Sequence, residues 1–219
     1  MSIQWTSRGV ALPVASLVLA FGAAEARAGM FSITYGVCES CTNNDAGDVA
    51  IGMAQLFVEV IDSSPGFVDF KFTNVGPLAS SIADIYFDDG SLLGISTIIN
   101  GPGTSFSQGA SPGNLPGGNN CDPAFVTTAG FSADSDPPVQ PNGVNPGEMV
   151  TIRFSLVGGQ TFADVIDEIS GGTLRIGIHV QGFSSGGSEG FVFCPDPVPA
   201  PAAFGMLGIL GVAALRRRR

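Results

Sequence analysis

Strict alternation of apolar and polar residues dominates the middle of the chain. Over residues 54–61, Leu56, Val58 and Val60 fall on one side and Gln55 and Glu59 on the other. Beyond Pro65-Gly66 the same period returns, with Val68, Phe70 and Phe72 opposite Asp69, Lys71 and Thr73. Two period-two runs about a Ser-Ser-Pro-Gly turn predict a β-hairpin. Residues 82–87 predict a strand ending at Asp88-Asp89-Gly90, with 92–99 returning from it. Residues 148–157 alternate most cleanly: Val150, Ile152, Phe154 and Leu156 against Thr151, Arg153 and Ser155. Residues 173–181 repeat the pattern through Leu174, Ile176, Ile178 and Val180. Shorter strands are expected at 30–36, 124–131 and 190–194. The period changes at 161–169, where Phe162, Val165, Ile166 and Ile169 share one helical face. Thr161 is the N-cap with Asp164 three residues on, and Gly171-Gly172 stops the helix.

Between these elements lie turn-rich residues 38–47, a long Gly/Pro/Asn/Ser stretch at 101–122, and a Pro-rich loop at 134–147. A loop as long as the second is either functional or mobile. No internal repeat is visible. The expected class is all-β: an antiparallel β-sandwich with one short helix, a jelly roll being one topology that satisfies it.

Both ends abandon alternation. Arg8 precedes an apolar run at 9–20, and 21–28 closes on Ala26-Arg27-Ala28. A positive start, an apolar core and a small-x-small site read as a signal peptide over 1–28, cleaved after Ala28 or, as second choice, after Ala26. That leaves a domain at 29–195 and a tail at 196–219. The tail opens with Pro-rich residues 195–201, continues with 14 apolar residues at 202–215, and ends in Arg216, Arg217, Arg218 and Arg219. As a helix the apolar run rises about 21 Å, short of the ~30 Å hydrocarbon core. Adding 198–201 and letting the arginines snorkel brings it to a membrane helix. The arginines orient it with the domain outside.

This tail resembles the PEP-CTERM sorting signal of exosortase-dependent surface proteins, which pairs a Pro-rich motif with a short apolar helix and an Arg cluster. The motif stands here as Val198-Pro199-Ala200-Pro201, with Ala where the family has Glu. The stretches 84–94 and 130–136 are similar to a subset of the same proteins. The resemblance implies recognition by an exosortase-type membrane enzyme, transient anchoring in the inner membrane, and cleavage near 199–201. Release or re-anchoring at the surface of an exopolysaccharide- and biofilm-forming bacterium would follow.

Composition sharpens this reading. The chain has 219 residues, 44% hydrophobic and only 13% charged, with 31 Gly and 15 Pro. Short strands joined by tight turns suit those numbers better than charge-decorated helices do. The net charge of −10 understates the asymmetry, because residues 29–195 hold only Lys71, Arg153 and Arg175 against most of the 19 acidic side chains. A nucleic-acid partner is excluded, since phosphate binding needs clustered Lys and Arg.

Candidate chemistry is sparse. Cys38, Cys41, Cys121 and Cys194 form an even set in an exported chain, which points to disulfides. Three pairings are open; Cys38–Cys41 with Cys121–Cys194 is the expectation. Residues 182–186 match Gly-x-Ser-x-Gly, but a nucleophile elbow needs a helix after Ser184 and a later His. The only His, His179, precedes it and reads as a solvated residue beside Arg175 and Gln181. Asp84, Asp88 and Asp89 cluster at one strand end, Asp134 and Asp136 in one loop, and Asp45 and Asp48 in another. Oxygen ligands on loops suit Ca²⁺, with Asp84, Asp88 and Asp89 as its candidate site; no other cofactor is implied. The functional expectation is a non-catalytic cell-surface or matrix protein. The alternatives are a carbohydrate-binding module, weakly supported by Tyr35, Tyr86 and Trp5, and a glycan-active enzyme using two of the carboxylates.

Overall fold

The alternating residues face one interior. A computed structural model describes residues 31–88 and 92–199 of the chain. Ala26, Ala28, Asp89, Ala200, Pro201, the apolar run 202–215 and Arg216 to Arg219 lie outside the described residues. Ten strands follow in chain order: β1 (Ser32–Ser40), β2 (Leu56–Ser64), β3 (Phe67–Asn74), β4 (Ser81–Asp88), β5 (Leu92–Asn100), β6 (Phe106–Gln108), β7 (Ser132–Ser135), β8 (Met149–Leu156), β9 (Arg175–Gln181) and β10 (Glu189–Pro197). They form one sheet in the order β5-β8-β3-β2-β1-β10-β9-β4-β7-β6. Every neighbouring pair is antiparallel.

The expected antiparallel β class holds, but one folded-over sheet supplies both layers instead of the two sheets of a sandwich. The ladder runs unbroken through β2, β1, β10 and β9. Bulges bend it in β1–β10 at Val37, in β4–β9 at Ile82/Asp84, and twice in β5–β8. Such irregularities increase local twist and curl a sheet. Its two ends meet through a side chain: Asn100 accepts from the Phe106 N–H (2.9 Å) and donates to the Phe106 carbonyl (3.4 Å). The result is a near-barrel.

The predicted hairpin forms as β2 and β3, with Val58 opposite Phe72 and Val60 opposite Phe70. β3 then pairs with β8, setting Phe70 against Ile152 and Val68 against Phe154. All seven are fully buried. Phe87 of β4 closes the cluster, with its ring edge-on to Phe154 (4.7 Å) and Phe70 (5.0 Å). Burying each such ring contributes roughly 1.5–3 kcal/mol, and edge-to-face geometry adds to it. Strand β5 does not return alongside β4. It pairs with β8 in the other half of the sheet, while β4 lies between β9 and β7.

Helix α3 (Phe162–Gly171) forms as its pattern predicts. Thr161 and Asp164 make a reciprocal capping box, and Gly172 is the left-handed C-cap at φ 73°. It buries Val165 and Ile169 against the core. A second ten-residue helix, α1 (Ala46–Gln55), occupies part of the segment expected to be turns and the start of a strand. Between them in sequence lies a single turn of helix, α2 (Val139–Asn142). The single helix expected is therefore too few. The face of α1 turned inward carries Asp48, Gly52 and Gln55, so it has no apolar stripe for periodicity to detect. Gly52 is required there, because a Cβ would collide with the Phe191 ring. Asp45 starts the helix by accepting from the Gly47 and Asp48 N–H groups (2.8 and 3.1 Å). The strand expected at 124–131 is irregular, and pairing begins only at β7.

Candidate functional site

The long Gly/Pro stretch is neither free nor structureless. Residues 109–131 cross the outer face of β4, β9 and β10 as a strap. Leu115 and Phe125 pack with Tyr86, Val192, Cys41 and Cys121 in a second small apolar cluster. Two glycines let the strap sit this low. A Cβ on Gly177 would lie 3.0 Å from both Leu115 and Phe125, and one on Gly190 would overlap the Pro116 carbonyl. The Tyr86 hydroxyl donates to the Pro112 carbonyl (3.0 Å), and the Thr128 N–H donates to the Phe87 carbonyl (2.9 Å).

A disulfide, Cys41–Cys121, ties the strap to the segment after β1. The other bridge, Cys38–Cys194, joins β1 to β10. This corrects the expected pairing of Cys38 with Cys41. Strand β1 runs through Ser40, so residues three apart stand about 10 Å from one another, beyond the reach of a disulfide. The observed partners have Cα–Cα separations of 5.3 and 4.9 Å. Glu39, Cys41 and Cys121 are the one trio of metal-ligating residue types drawn together among the described residues. Two of the three share the disulfide, so no thiolate is offered.

Under the edge of the strap, three strands bring together residues far apart in sequence. Asp84 on β4 faces His179 on β9 and Asp134 on β7. The Asp84 Oδ2 to His179 Nδ1 distance is 2.8 Å, with side chains only 4% and 12% exposed respectively. His179 is therefore not the solvated residue expected from its polar position. Burial first, and the Asp84 charge second, push the Asp134 carboxyl up to about 6, against a hydrogen bond from the Ser111 backbone that pulls it down. Beside it, the buried Asp84 Oδ1 has no hydrogen-bond partner. Burial and the same two carboxylates push the Tyr86 phenol far above its ordinary range.

Burial and a neighbouring like charge are the two effects that disfavour an ionised carboxylate. Asp84 and Asp134 hold directly opposed positions on β4 and β7. Asp88 stands four residues along β4 from Asp84, about 13 Å away. It forms an ion pair with Arg175 and accepts from the Val126 N–H (3.1 Å). Asp84 and Asp88 thus do not converge on one ion, and Asp89 lies outside the described residues.

The remaining acidic candidates have structural partners. Asp136 accepts from Ser105 and Ser107 (2.6 and 2.7 Å), which hold its carboxyl below the usual range. Buried Asp48 accepts from Ser185 (2.6 Å). Ser184 sits in the turn from β9 to β10, with no helix following it. Glu189, which nothing in the sequence singled out, is fully buried. Its carboxylate accepts from Ser40 (2.8 Å), Thr42, and the Asn44 and Asp45 N–H groups (both 2.9 Å), fixing the segment that carries Cys41.

All three basic side chains among the described residues are paired: Lys71 with Glu59, Arg153 with Asp69, and Arg175 with Asp88. Tyr35 and Tyr86 are buried, so neither forms an exposed stacking platform. In the motif segment, the Val198 N–H donates to the Thr34 carbonyl (2.7 Å), keeping the chain on the sheet just before Pro199. No helix among the described residues is long and apolar enough to cross a membrane. Compared with protein-family models, curated proteins and solved structures, the chain gave no match.

Proposed function

We propose that this chain is an exported surface or matrix protein whose β domain acts without catalysis, delivered by an exosortase-type system that reads its C-terminal tail. The observation that carries the reading is the pair of disulfides, Cys38–Cys194 and Cys41–Cys121. Such bonds form and persist in oxidising compartments outside the cytoplasm. Further support comes from how the candidate catalytic groups are spent. Asp84 binds His179 and faces Asp134 beneath a strap, Asp48 and Glu189 brace turns, and the Gly-x-Ser-x-Gly serine lies in a plain hairpin turn. An acidic exterior with every described cation already paired suits a domain that stays soluble among polysaccharides. The alternative of a carbohydrate-binding module loses the two tyrosines that favoured it.

Mass spectrometry of the mature protein from a producing cell tests the proposal. The expected species begins at Gly29, ends near residues 199–201, carries four oxidised cysteines, and is recovered outside the cytoplasm. Full-length chain dissolved in the cytoplasm with free thiols would overturn it.

A further inference from the structure

A cavity of about 300 Å³ opens where α3 ends against β1, β9 and β10. Its wall is apolar, built from Tyr35, Ile169, Leu174, Ile176, Val192 and Phe193. That volume is at the small end of ligand sites, whose usual make-up is an apolar body with a few placed polar groups. One wall residue carries an unsatisfied group. Tyr35 is 1% exposed, and its hydroxyl has no hydrogen-bond partner, whereas buried tyrosine hydroxyls normally find one.

The charged residues of the cavity are unbalanced. Arg175 is committed to Asp88 and to the carbonyls of Pro123 and Ala124. Glu39 accepts only the Asp122 backbone N–H (3.2 Å), and Asp122 itself is exposed. Two carboxylates therefore line the cavity, and the one cation that lines it among the described residues, Arg175, is already neutralised by Asp88. An anion entering would meet both negative charges. An ammonium group would be drawn to them, with the aromatic rings of Tyr35 and Phe193 behind.

We infer that this cavity binds a small organic cation, with its apolar body against Leu174, Ile176 and Phe193 and its ammonium between Glu39 and Asp122. Gly171 offers a way to close the site without disturbing the fold. It ends α3 in the cavity wall, and a Cβ built there meets nothing within 4 Å.

Benzylamine, benzyl alcohol and benzoate, titrated into the full chain in detergent and followed by ligand-observed NMR, test the inference. Benzylamine should bind saturably and about tenfold more tightly than benzoate, with benzyl alcohol between them. The double variant Glu39→Gln/Asp122→Asn should reduce the preference for benzylamine over benzyl alcohol roughly fivefold, while the alcohol binds as before. Gly171→Phe should abolish binding of all three at an unchanged melting temperature. No saturable binding of benzylamine, equal binding of benzoate, or full binding by a folded Gly171→Phe protein would each overturn it.

Discussion

The two faces of the curled sheet are held by different physics. Inside, Phe70, Phe72, Phe87 and Phe154 interlock with Val, Ile and Leu, and the force is burial of apolar area that no single contact dominates. Outside, beneath the strap, the attachment rests on one disulfide, two glycines that let the backbone approach, a tyrosine hydroxyl and the Ser132 hydroxyl that accepts from the Ala110 N–H. The inner face degrades in proportion to the area lost. The outer face should fail at single points.

The largest effect should come from breaching the inner face. Phe87→Ala removes a ring that touches three other phenylalanines, and should cost about 3–5 kcal/mol in chemical denaturation. Equal stability in the variant would show that the interior is loosely packed.

Next, replacing Cys41 and Cys121 together by serine should cost about 2–4 kcal/mol, because the bridge closes 80 residues of chain. Limited proteolysis should then cut within 109–131 before any strand. Simultaneous cleavage of strands and strap would erase the distinction between the faces.

A smaller effect, with a sign set by pH, is expected at Asp134. Its folded value near 6 lies above the ordinary 3.8, so the folded protein binds more protons than the unfolded chain between those values. The stabilisation this group supplies is present below about pH 4 and is lost as pH rises through 6. Asp134→Asn should therefore melt a few degrees higher than the parent at pH 7.5, with no gain at pH 3.5. A gain independent of pH would refute the raised Asp134 carboxyl.

Smallest of all, Tyr35→Phe removes a hydroxyl that has no partner, so stability should change by less than about 0.5 kcal/mol or rise slightly. A loss above 1 kcal/mol would reveal a hydrogen bond that the geometry lacks.

What the sequence made legible follows the same division. The alternations of β2, β3, β8 and β9 could be read because one face of each is buried among apolar residues, and α3 because its cap, stripe and terminating glycine agree. Helix α1 could not, since Asp48, Gly52 and Gln55 turn inward and their partners, Ser185, Phe191 and Ser80, come from elsewhere in the chain. The polar phase of β9 does place His179 outside. Its partners Asp84 and Asp134 sit on strands distant in sequence, and nothing local announces that β4 lies between β9 and β7. The pairing of β5 with β8 was hidden for the same reason: a short turn after β4 suggested a hairpin that the sheet order overrides.

The bridge between β1 and β10 has a mechanical consequence. Cys38 and Cys194 lie near the two ends of the described chain, on adjacent antiparallel strands. A pull applied between Phe31 and Pro199 would unzip the outermost rungs, from Ser32 to Val37 and from Pro197 back to Pro195. It would then meet a covalent stop. Everything enclosed by that cross-link, including the phenylalanine interior and the strap, would carry no load, so the body can be tugged by its ends without being unravelled.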